Sequence, residues 1–144
     1  MKILFVDDGP MVLAAFRRSL RYQVEFDTVV ERAEVLALKE HTRYAVVVAD
    51  MTMPRMRGVV LLEKVRQLFP ETVRVMLTGN ADQVTAVDAV NRGQVFRFIH
   101  KPCPAESLLP ILREALTHHQ VLSAEHELLE NTLFGIMRVM SEIL

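Results

Sequence analysis

Tyr44-Ala45-Val46-Val47-Val48-Ala49-Asp50 is an unbroken run of small and β-branched apolar residues that stops on a single carboxylate. Such a run suits a strand buried on both faces of a parallel sheet. An acid at its carboxyl end then falls where open α/β sheets carry their chemistry. Similar runs flank it. Ile3-Leu-Phe-Val6 stops on Asp7-Asp8, Val73-Arg-Val-Met-Leu77 on Thr78-Gly79-Asn80, and Val95-Phe-Arg-Phe-Ile99 on His100-Lys101-Pro102. Val24, Phe26 and Thr28 alternate like a strand near an edge.

Helical spacing lies between these runs. Leu13, Phe16 and Leu20 follow the turn at Gly9-Pro10, and Pro10 suits a first helical position. A weaker helical stretch covers about 31–40. Leu61, Leu62, Val65, Leu68 and Phe69 make one apolar face that Pro70 ends, and Val84, Val87 and Val90 make another that ends at Arg92-Gly93. Five strands alternating with helices predict a doubly wound five-stranded parallel α/β sheet. An extended C-terminal helix follows, opening at Pro104 with Glu106 in its first turn. Pro110 is expected to kink or delay it.

The bulk properties narrow the function. A chain of 144 residues that is 51% hydrophobic has room for one domain and an appended element, and it has ample material for a core. No apolar run is long enough to span a bilayer, and the start does not read as a signal peptide. Cys103 is the single cysteine, so no intrachain disulfide forms and a cytoplasmic location is expected. A net charge of −1 gives no reason to expect nucleic acid. The charge is uneven: residues 1–104 hold 15 basic against 12 acidic side chains, and residues 105–144 hold two against six.

The parallel sheet would bring Asp7, Asp8, Asp50, Thr78 and Lys101 to one edge. Carboxylates about 4 Å apart repel by ~4 kcal/mol per pair at an effective dielectric near 20, so they call for a cation. Oxygen ligands with room for water suit Mg2+. A lysine beside them would neutralise an incoming phosphoryl group while an aspartate attacks it, and a threonine hydroxyl could hydrogen-bond its oxygens. A cis peptide at Pro102 would aim Lys101 inward. Taken singly, each residue has a plainer reading as a turn, cap or solvated strand end.

Together, Val6-Asp7-Asp8, Val48-Ala49-Asp50, Met53-Pro54 with Gly58, Leu77-Thr78-Gly79 and the segment from Phe98 to Pro102 resemble the receiver domain of two-component response regulators, over roughly residues 1–120. The resemblance implies a flavodoxin-like receiver fold with Asp50 as phosphoacceptor from a sensor histidine kinase or phosphotransfer protein. It implies Mg2+ held by Asp7, Asp8, Asp50 and the backbone carbonyl of Thr52. Thr78 would be the switch hydroxyl, Lys101 the phosphate partner and Phe98 the aromatic whose rotamer reports the state. Gly9 and Arg57 stand where acidic residues are common in the family, and Arg55 adds positive charge. Met51, Met53 and Met56 fit either a docking surface or filler under the loop. Cys103 reads as a packing residue, and Thr52 and Asn80 would tune phosphate hydrolysis.

The receiver is expected to span residues 1–118, with 119–144 a helical extension. Two interleaved seams run through it: Leu112, His119, His126, Leu133, Met140, and Leu108, Ala115, Leu122, Leu129, Ile136, Ile143. This heptad predicts a homodimeric coiled coil in preference to a single amphipathic helix folded on its own domain or on a missing one, with His119 and His126 weakening the pairing and Gly135 marking a boundary. The tail also resembles the linker before HD-type phosphohydrolase domains, outputs that often act on cyclic dinucleotides. No HD motif lies in the chain, so the expectation is a non-enzymatic switch driving an output domain or effector. Two alternatives are a pseudo-receiver scaffold and a haloacid-dehalogenase-like phosphatase. The latter needs a second aspartate where Thr52 stands.

Overall fold

The computed structural model describes residues 1–7, 9–30, 43–51, 58–79, 90–91 and 94–143. Five strands form one parallel sheet: β1 (Ile3–Val6), β2 (Phe26–Val29), β3 (Val46–Asp50), β4 (Val73–Thr78) and β5 (Arg97–His100). Their order is β2-β1-β3-β4-β5. The described helices are α1 (Pro10–Leu20), α2 (Gly58–Leu68) and α3 (Ala105–Ile143). The helices expected at 31–40 and around Val84 and Val87 lie outside the described residues.

The two-residue period of each strand sorts its side chains between two cores. Ile3, Phe5, Val46, Val48, Val75 and Leu77 meet Leu13 and Leu20 of α1 and Leu108, Leu112 and Ala115 of α3. Leu4, Val6, Val47, Ala49 and Met76 face the other way, onto Val59, Leu61, Leu62 and Val65 of α2. Because both faces are covered, the central strands contain no polar alternation, which is why 44–50 reads as continuous. Arg74 departs from that pattern. It is buried within β4, with Nη1 donating to the Thr72 carbonyl at 2.7 Å. Burial, reinforced by the nearby charge of Arg66, lowers its pKa.

α2 ends where the sequence requires. The Phe69 amide closes the last turn onto Val65, and Pro70 supplies no further donor. α3 differs from expectation. It starts at Ala105 without delay, includes Pro110 and continues through Gly135 to Ile143. Pro110 falls in the second turn, where it forgoes one backbone bond, to the Glu106 carbonyl, without ending the helix. Gly135 faces open space: a Cβ at this position would meet nothing within 4 Å, so no packing demand breaks the helix there.

The upstream half of both seams is receiver core and is not free for pairing. Leu108, Leu112 and Ala115 are fully buried, and Leu122 packs partly against the same cluster. The histidines are also committed within the chain. His119 Nδ1 donates to the Glu71 carbonyl at 2.7 Å, and Ser123 Oγ donates to Glu71 Oε2 at 3.3 Å. His126 Nε2 lies 3.3 Å from Glu71 Oε1 and 3.0 Å from Glu130 Oε1. Both histidines tie the root of α3 to the turn after α2.

Candidate functional site

β1, β3, β4 and β5 end along one edge of the sheet, and their register brings the expected residues together. Val6 pairs with Ala49, so Asp7 follows β1 beside the end of β3. Asp50 pairs with Leu77 and Thr78 with His100, which sets Lys101 one residue past β5. The site therefore lies at the β1–β3 switch point, where the chain's winding reverses and opens a crevice.

Asp7, Asp50 and Thr78 are all at least 95% buried. Lys101 reaches both acids: its Nζ is 3.0 Å from Asp7 Oδ2 and 3.2 Å from Asp50 Oδ2. Burial pushes the ammonium pKa down. The hydrogen bond and charge of Asp7, followed by those of Asp50, outweigh this, and the net shift is upward. The backbone fixes the other side of Asp7, because the Gly9 amide donates to Oδ1 at 2.8 Å. The Lys101 amide donates to the Thr78 carbonyl at 2.8 Å, and the Lys101–Pro102 peptide is cis.

Asp50 is held from below by α2. The Gly58 amide donates to the Met51 carbonyl at 3.1 Å, drawing the helix start against the end of β3. A Cβ on Gly58 would overlap the Asp50 carbonyl oxygen and lie 3.0 Å from its carbon. That close approach explains a glycine which the sequence offered only as part of a motif. Met51 is 5% exposed and packs with the α2-side core, so for this residue the docking-surface reading gives way to filler.

Phe98 and Thr78 occupy adjacent strands and share the α2-side face by strand parity, placing them diagonally. Phe98 is half-buried against that core. Thr78 lies at the strand end, so the hydroxyl and the ring form a short path from the site to β5. Cys103 follows closely, and burial raises its thiol pKa, away from reactivity.

Asp8, Thr52, Met53, Arg55, Met56, Arg57 and Asn80 lie outside the described residues. Among the described residues no group of three acidic, histidine or cysteine side chains converges as a metal cage. Asp7 and Asp50 nevertheless supply two buried hard oxygen donors side by side, a donor chemistry that fits Mg2+. Glu71 and Ser123, which anchor α3, went unnoticed in the sequence. Two histidines one heptad apart with a serine between them were the available signal.

The model of the response regulator receiver domain matches residues 3–113. The chain is 30% identical over 126 residues to the hydrogenase transcriptional regulatory protein HoxA of Cupriavidus necator, covering 88% of this chain and 26% of that one. It thus spans about a quarter of that relative's length. Among solved structures, one titled as an adenylate cyclase from Rhodopirellula baltica superposes with a TM-score of 0.83 at 36% identity, covering 90% of this chain and 96% of that one. The signal receiver domain of an HD domain-containing protein from Pseudomonas fluorescens Pf-5 gives a TM-score of 0.79 at 29% identity, covering 83% and 97%. With this match over most of its length, the chain belongs to the receiver domain family of two-component response regulators, regulatory signalling modules that are not themselves enzymes.

Proposed function

We propose that the chain is a phosphorylation-dependent switch in which Asp50 accepts a phosphoryl group from a sensor histidine kinase or phosphotransfer protein in the cytoplasm. The observation that carries this reading is the single Lys101 ammonium bridging Asp7 and Asp50 at a buried strand edge. An Asp50 carboxylate oxygen attacks phosphorus as the bond to the donor nitrogen breaks. Lys101 offsets charge on the transferred group. The Thr78 hydroxyl hydrogen-bonds a phosphoryl oxygen.

Receiver domains generally bind Mg2+ at their acidic site. Here Asp7, Asp8, Asp50 and the Thr52 carbonyl would hold it, and when bound it supplies positive charge to the phosphoryl oxygens. The product places about 1.5 to 2 negative charges on Asp50. Movement of Thr78 toward that charge frees space for Phe98 to turn inward, a two-state shift on the α2 side of β5. The outlet is α3, which pairs with a second copy and passes the change to an output domain or effector. An HD-type phosphodiesterase acting on cyclic dinucleotides is one such output, in keeping with the HD-containing parent of one structural neighbour.

Beryllium fluoride or acetyl phosphate with Mg2+ tests the switch. The wild type is expected to show a saturable, Mg2+-dependent spectral change with beryllium fluoride that chelation reverses, a Mg2+-dependent mass gain of one phosphoryl group with acetyl phosphate, and neither in Asp50→Asn. No change in the wild type under conditions that load another receiver would refute phosphoacceptance and leave the scaffold reading. An unchanged response in Asp50→Asn would move the acceptor elsewhere.

A further inference from the structure

The seam of α3 keeps one phase from core to tip but changes occupant on the way. Steps of four and three residues link Leu108, Leu112, Ala115, His119, Leu122 and His126. The receiver body or Glu71 takes up each of these. In the same phase Leu129, Leu133, Ile136, Met140 and Ile143 are each more than half exposed. At 100° per residue, Met137 and Val139 form the shoulders of this face and are also more than half exposed.

These seven side chains present on the order of 700 Å² of apolar surface, more than a monomer commonly leaves in one patch. The amount is close to the ~800 Å² that each partner buries at a standard interface. None of the seven is charged, so the face can meet its own copy without repulsion, as a two-fold interface requires. Two acids border it: Glu125 lies four residues before Leu129 on the same face, and Glu130, on its edge, is engaged by His126 of its own chain at 3.0 Å.

We infer that a second copy of this chain covers the face made by Leu129, Leu133, Ile136, Met140 and Ile143, and that self-association starts only past His126. This deepens the pairing in the proposed function and narrows the long coiled coil suggested by the heptad to about two heptads. With leucine and methionine alternating with isoleucine on the seam, and apolar shoulders, two such pairs can join as a four-helix bundle.

The test is sedimentation equilibrium of the full chain at tens to hundreds of micromolar. A mass of two or four copies is expected. Ile136→Asp should reduce it to one copy, while Phe134→Asp, on the flank of the helix, should leave it unchanged. Both positions are exposed, and circular dichroism will confirm that the helix persists. A single-copy mass for the wild type at every concentration would overturn the inference. Equal dissociation by both variants, or a chain ending at His126 that keeps the assembled mass, would do the same. Beryllium fluoride loading measured on these variants should match wild type. Its failure in the wild type would count against the Asp50 chemistry alone.

Discussion

Gly58 shows how narrow the tolerance around Asp50 is. Its missing side chain lets the start of α2 touch the Asp50 backbone, so Gly58→Ala must push helix and strand apart. We predict a loss of about 1–3 kcal/mol in urea unfolding, typical of overpacking against a fixed neighbour, with weaker beryllium fluoride loading. Stability within error of wild type would show that the helix start yields easily. The acids, threonine and lysine are legible in the sequence because each ends a recognisable strand. The need for Gly58 is not, since its reason is a contact between backbones eight residues apart. Nor does the sequence show that Gly9, a departure from the family pattern, contributes its amide to Asp7.

At the scale of elements, strand runs were legible because a sheet buried on both faces leaves little polar interruption. β1 matches its expected span, whereas β5 is shorter than 95–99 suggested and starts at Arg97. Phe96, just before it, instead stacks on His118 of α3, with ring centroids 4.7 Å apart. Residues that commonly break helices do not end α3: Pro110 and Gly135 both sit inside it. Gly135 has an ordinary helical backbone and open space around it, so Gly135→Ala should stabilise the helix by roughly 0.5–1 kcal/mol. Thermal unfolding followed at 222 nm would register this as a higher midpoint. A lower one would mean that the glycine serves an interface.

For the molecule as a whole, the heptad was plain in the sequence, but its partners were not. Periodicity identifies an apolar stripe without saying which surface covers it. The structure assigns residues as far as His126 to the chain's own body, through Glu71, Ser123 and the two histidines. A chain ending at His126 should therefore unfold within a few degrees of full length when both are compared as single copies. One ending at His118 loses His119, Leu122 and the Glu71 contacts, and a cost of about 1 kcal/mol should lower its midpoint by roughly 2–8 °C. Equal midpoints for the two truncations would mean that these contacts add nothing.

The unbroken run of α3 also has a mechanical consequence. Seventeen residues project beyond His126, a lever of about 25 Å at 1.5 Å per residue. Its fulcrum is the contact with Glu71, and its other arm is embedded in the receiver core. A tilt of about 10° at the fulcrum would carry the far end roughly 4 Å, comparable to the rise of a few helical residues. Adjustments within the receiver too small to alter its fold would thus arrive at Ile143 as a displacement that a neighbour can feel.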